Sequence, residues 1–224
     1  MQAVIRIALV ASILAACGSS PPATPDGATM GSGDGGGTGG LFVHWWSDPE
    51  LPGAVGNNAT VTTATFWVNS LRVIGDADPG DDRTTHDAQK IWWDDHGGPP
   101  VFEFPDAPSG LYSKIAVALN GLIIEDSYEI DGTVDVAGST KPFKIHDALP
   151  LNISLDISEA LSPGSMVDVT IHIDFTSAIG VVDFSTLDED DGKLDLDTLD
   201  SQMPAFRAAI QNSFTIAGSA PPPS

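Results

Sequence analysis

The chain has 224 residues, with 31 acidic side chains against 9 basic ones and a formal net charge of −22. That balance argues against nucleic-acid binding, which needs Lys and Arg to neutralise phosphates, and against docking of the folded part on an anionic lipid surface. A hydrophobic fraction of 42% is that of a folded chain rather than a disordered one, and the length suits one domain.

Arg6, an apolar run over 7–13 and the small residues Leu14-Ala15-Ala16 precede Cys17, the only cysteine. The run is too short to span a bilayer and has the order of a secretory signal. Cysteine directly after Leu-Ala-Ala resembles a bacterial lipoprotein signal. That resemblance implies cleavage after residue 16, acylation of Cys17 and attachment to the membrane at the cell envelope. Gly18 stands where an aspartate would resemble an inner-membrane retention signal, so the outer membrane is expected. Loss of residues 1–16 removes Arg6 alone and leaves the chain one charge more negative. Residues 17–40 are rich in Gly and Pro and read as a flexible tether, with a reach of roughly 25–30 Å.

From residue 41 the pattern is that of strands, expected at 42–46, 60–74, 101–104, 114–119, 122–124, 128–136 and 140–146. The clearest are 151–157, where Leu151, Ile153, Leu155 and Ile157 alternate with polar residues, and 166–175, where Val167, Val169, Ile171, Ile173 and Phe175 do the same. Ser162-Pro163-Gly164-Ser165 reads as a turn joining these two as an antiparallel pair. Further turn signals stand at Asn120-Gly121, Asp131-Gly132 and Ala137-Gly138. Residues 75–100 read as a long polar insertion. One helix is expected at 204–212, with Phe206 and Ile210 on one face, Pro204 in the first turn and Asp200 or Ser201 as cap. Residues 217–224 read as a disordered tail. Short strands without intervening helices, and no repeat period, predict a mostly β chain: a single antiparallel β-sandwich over 41–216 with one short C-terminal helix.

The run Phe102-Glu103-Phe104-Pro105-Asp106-Ala107-Pro108-Ser109-Gly110-Leu111-Tyr112-Ser113-Lys114-Ile115 brings Pro, Gly and Tyr into a strand. It resembles the turn of secreted prealbumin-like and carbohydrate-binding-like β-sandwiches. Gly132-Thr133-Val134, Lys141-Pro142-Phe143-Lys144-Ile145 and Asn212-Ser213-Phe214 are similar to bacterial lipoprotein domains of that type. The resemblance implies a β-sandwich and carries over no catalytic residue.

Candidate chemistry is sparse. Asp188, Asp190, Asp195 and Asp197 surround Gly192 and could supply oxygens to calcium. An EF-hand is excluded, because aligning Gly192 with its turn glycine puts Leu187 and Thr198 at positions that must be acidic. Asp76, Asp78, Asp81 and Asp82 form a second acidic loop. Of five histidines, His172 shares a strand face with Asp174, but zinc needs three or four ligands and no cysteine or His-Glu-x-x-His is at hand. Asp94-Asp95-His96 meets the same objection.

Trp45-Trp46 and Trp92-Trp93 are adjacent pairs near acids. In an extended chain one member of each pair can face the core and the other solvent, and an exposed indole beside carboxylates suits stacking of a sugar ring. No nucleophile elbow and no phosphate loop is present. The expectation is therefore a non-enzymatic, acidic, lipid-anchored domain with a binding or structural role. The alternatives are a carbohydrate-binding module using Trp45, Trp46, Trp92 or Trp93, and a calcium-dependent adhesion-type domain; the partner would be a glycan or an envelope protein.

Overall fold

Two-residue alternation of apolar and polar side chains makes most of this chain strand. The computed structural model describes residues 40–75, 88–105, 107–121 and 125–217, and the backbone of 82–85. They belong to one compact unit, Gly36–Ser224. Cys17, the tether up to residue 39, Asp76, Asp78, Asp81, His86, the expected strand 122–124 and the tail beyond 217 lie outside the described residues, as does the side chain of Asp82.

The strands are β1 (Gly40–Asp48), β2 (Gly53–Ala54), β3 (Ala59–Gly75), β4 (Asp82–Thr85), β5 (Gln89–Trp93), β6 (Phe102–Phe104) and β7 (Gly110–Leu119). They continue with β8 (Tyr128–Val136), β9 (Ser139–Asp147), β10 (Leu151–Leu161) and β11 (Met166–Asp174). After a one-turn helix α1 (Phe175–Ile179) come β12 (Glu189–Asp190), β13 (Lys193–Leu196), helix α2 (Met203–Ser213) and β14 (Phe214–Ala217).

Two sheets form the sandwich. The smaller runs β14-β11-β1-β6, and the larger runs β10-β7-β3-β8-β9-β13-β12, with β2, β4 and β5 also paired to the long β3. Most pairs are antiparallel. β1 with β11 and β13 with β9 are parallel, because long stretches of chain separate the partners. The core lies between the sheets. Phe66 of β3 meets Phe214 of β14 edge to face at 5.7 Å and Phe175 at 6.4 Å, so aromatic rings join the two layers.

The expected pairing of 151–157 with 166–175 is corrected. β10 pairs with β7 in the larger sheet, and β11 pairs with β1 and β14 in the smaller one. The turn itself is built as read: the Ser165 amide and Oγ donate to Ser162 O at 3.0 and 2.8 Å. It carries the chain from one sheet to the other. Alternation fixes which face of a strand enters the core and leaves its hydrogen-bonding neighbour open.

Asp131-Gly132 is also no turn. It lies inside β8, where a Cβ on Gly132 would come 2.2 Å from Thr60 O and 2.5 Å from Phe143 Cζ. Glycine is there for close packing. Ala137-Gly138, by contrast, is a turn with both φ values positive. The polar insertion contains β4 and β5, both on β3. At the turn into β7, Tyr112 Oη donates to Pro108 O at 2.7 Å, pinning the loop after β6.

Candidate functional site: an aromatic cleft between the sheets

β1 ends the smaller sheet at Trp45-Trp46-Ser47, and β5 ends its run on the larger sheet at Trp93. Alternation in β1 buries Trp45 and Ser47 and leaves Trp46 39% exposed. In β5 it buries Trp93 and leaves Trp92 43% exposed. The one-in, one-out expectation for each pair describes both strands. Trp45 packs edge-on against Phe102 at 5.7 Å, and Trp93 against Phe66 and Phe175 at 5.9 and 6.2 Å.

Between these strand ends lies a cleft of about 600 Å³, lined by Trp45, Trp46, Ser47, Glu50 and Trp93 and by the turn 94–98. That volume suits a small ligand rather than a protein loop. Three of the four tryptophans singled out from the sequence are thus brought together. The fourth, Trp92, points to the outer face of the larger sheet.

The cleft is aromatic on its floor and acidic on its rim. Asp94 Oδ1 accepts the His96 amide at 2.8 Å, and His96 Nδ1 lies 2.5 Å from Asp95 Oδ1. The ligand atoms of Asp94, Asp95 and His96 lie within 4.8 Å of one another, which among the described residues makes them the group able to hold a metal ion. Two buried polar atoms of cleft residues, Trp45 Nε1 and Ser47 Oγ, have no hydrogen-bond partner in the protein. Buried donors are seldom left so. Family models, curated proteins and solved structures gave no match to this chain.

The remaining sequence-predicted residues go elsewhere. Asp191 and Gly192, both at positive φ, turn β12 into β13. Asp195 Oδ1 lies 3.4 Å from His146 Nε2, whose Nδ1 lies 2.9 Å from Asp126 Oδ2. Asp197 Oδ1 accepts the amides of Leu199 and Asp200 at 2.7 and 3.0 Å. Asp190 is exposed, and the Asp188 contact described is its carbonyl, which accepts the Asp195 amide at 2.9 Å. The four carboxylates Asp188, Asp190, Asp195 and Asp197 therefore do not gather into one cluster.

His172 stacks on Trp46 with ring centroids 4.8 Å apart, and its Nε2 is buried without a partner. Asp174 caps α1 by accepting the Ser177 amide at 3.0 Å. Burial works against its charge, yet the hydroxyl and amide of Ser177 and the amide of Thr176 outweigh it and hold the carboxyl below the usual range. That carboxylate is engaged in capping rather than paired with His172.

Sequence reasoning missed Ser47, Glu50 and the unpartnered Trp45 Nε1 as cleft features. Ser47 did carry a signal, being a polar residue at an inward position of an otherwise apolar strand face.

Proposed function

We propose that this chain is a lipid-anchored protein of the cell envelope, held in the outer membrane through Cys17, whose folded domain binds a glycan without catalysing a reaction. One observation carries the binding reading. Tryptophans from two sheets and three acidic side chains line one cleft of suitable size, and two of its lining residues, Trp45 and Ser47, carry buried polar atoms without a partner. Indoles stack on the C–H faces of sugar rings, and carboxylates accept their hydroxyl hydrogen bonds. The anchor reading rests on Leu14-Ala15-Ala16-Cys17 and the Gly-rich stretch after it. In a chain with a net charge of −22 the folded domain has no attraction for anionic lipid, so several acyl chains would have to hold it.

The test has two arms. Cys17→Ser should move the protein from the membrane fraction to the soluble one; full retention would refute the anchor. The soluble Cys17→Ser chain is then screened on a glycan array with and without calcium, beside the same chain with Trp46→Ala. A glycan bound by the first and weakened about tenfold or more in the second supports the cleft reading. No bound glycan, or equal binding by both, refutes it.

A further inference from the structure

The outer face of the larger sheet carries a second group that the cleft does not use. Antiparallel register sets Thr65 opposite Trp92 and Trp67 opposite Lys90. In β3 and β5 the inward positions are Ala64, Phe66, Val68, Ile91 and Trp93, so Thr65, Trp67, Lys90 and Trp92 all face outward. The Lys90 ammonium lies over the Trp67 ring, 4.7 Å from its centroid. Trp92 stacks on no other ring among the described residues and is 43% exposed.

Lys90 stands apart from the other lysines. Lys114, Lys141, Lys144 and Lys193 each reach a carboxylate, on Asp156, Glu189, Glu129 and Asp131 respectively. Lys90 reaches none among the described residues. Shallow grooves flank it on both sides. Thr63, Thr65 and Trp92 line one, of about 460 Å³, and Trp67, Asn120 and Glu125 line the other, of about 240 Å³. Asp94 and Glu125 border these grooves without coming within ion-pair distance of the ammonium. In a chain with 31 acids, a lysine that pairs with no carboxylate among the described residues and lies over the Trp67 indole offers one localised positive charge.

We propose that Trp67, Lys90 and Trp92 form a site for an acidic sugar, a pyranose bearing a carboxylate. The sugar's C–H face stacks on Trp92, its carboxylate meets the Lys90 ammonium, and the Thr63 and Thr65 hydroxyls bond to ring hydroxyls. The cation–π contact with Trp67 holds the ammonium in position before the ligand arrives. One cation in an acidic protein selects a single carboxylate and repels polyanions. The larger groove shares Trp93 and Asp94 with the cleft, but Trp67, Lys90 and Trp92, which carry the proposal, lie outside it.

The test uses the full chain carrying Cys17→Ser and a disaccharide ending in glucuronic acid, beside the methyl ester of the same sugar. Indole N–H resonances followed by NMR report each tryptophan separately. The acid should shift Trp92 and Trp67 while Trp45 and Trp46 stay put, and the ester should bind about fivefold more weakly. Lys90→Ala should bring the acid down to the ester, Lys90→Arg should restore it, and Trp92→Ala should abolish both. Circular dichroism checks the fold of each variant. Equal binding of acid and ester, shifts confined to the cleft tryptophans, or no binding of either sugar would overturn the proposal. So would a dimer in sedimentation that Trp92→Ala dissolves, since the face would then belong to a second copy of the chain. A cleft that fails on the array leaves the Trp92 and Trp67 shifts untouched, so the two readings fail separately.

Discussion

Arg207 holds Asp147 with two parallel bonds: Nε donates to Oδ2 at 2.7 Å and Nη2 to Oδ1 at 2.9 Å. Asp147 ends β9 with no exposed surface, and Arg207 projects from α2, so the pair fastens the helix to the larger sheet. Tyr128 Oη and Thr198 Oγ1 donate to the same carboxylate at 3.1 Å each, and so does the Leu149 amide. Every lone-pair direction of the buried charge is thereby occupied, the condition under which a buried ion survives.

Removing the guanidinium should be costly for that reason. Arg207→Ala leaves a buried carboxylate without its counter-charge and is expected to destabilise by about 3 kcal/mol in urea unfolding. The same group sets a pH dependence. Burial works against the Asp147 charge, but Arg207, the Leu149 amide and Thr198 outweigh it and hold the carboxyl below its ordinary value. The unfolded chain therefore binds this proton first. The contribution is complete above the unfolded pKa of about 4 and fades as pH falls through the lower folded value. Asp147→Asn should flatten the stability curve in that acid window, and an unchanged curve would refute the assignment.

Gly132 should tolerate no side chain. Gly132→Ala puts a methyl group against Thr60 O and the Phe143 ring, forcing β8 away from its neighbours. A loss of about 2 kcal/mol or more is expected, with a melting temperature lowered by several degrees. A variant as stable as the parent would mean that β8 and β9 give way more freely than this packing implies.

The buried Trp93 of β5 and the half-exposed Trp46 of β1 should part company on mutation. Trp93→Ala removes a buried indole packed on Phe66 and Phe175 and should cost about 3–5 kcal/mol. Trp46→Ala removes a half-exposed ring resting on His172 and should cost below about 1 kcal/mol. Thermal melts of the two variants side by side decide it. Equal losses would mean that Trp46 belongs to the core rather than to the cleft.

Strand faces were legible in the sequence wherever one side meets water. Leu151, Ile153 and Leu155 alternate with exposed Asn152, Ser154 and Asp156, and β8 runs over the span read from its pattern. Helix α2 showed through Phe206, Ile210 and Pro204, although Asp200 caps the preceding turn, accepting the Gln202 amide at 2.6 Å, rather than the helix itself. Partners were not legible. A turn as well formed as Ser162–Ser165 leads equally to a hairpin or to a change of sheet, and only the competing edges of β7 and β1 decide. β5 escaped notice because Gln89 and Lys90 make its first half polar, while β3 supplies the apolar neighbours that hold it. The cleft shared this obstacle: its tryptophans were visible singly, but Trp45 and Trp93 belong to different sheets, and no local pattern announces that their strands end side by side.

The parallel ladder of β1 with β11 bears on when the protein can fold. His44 lies 124 positions before its partner Asp168, and β1 sits between β11 and β6 rather than at an edge. During synthesis this strand emerges first and waits, with one hydrogen-bonding edge open, until most of the chain has followed. Closing so long a loop before any reward makes assembly of the smaller sheet a late and slow event. A fragment ending before residue 166 would leave the edge of β1 that faces β11 unpaired and prone to aggregate.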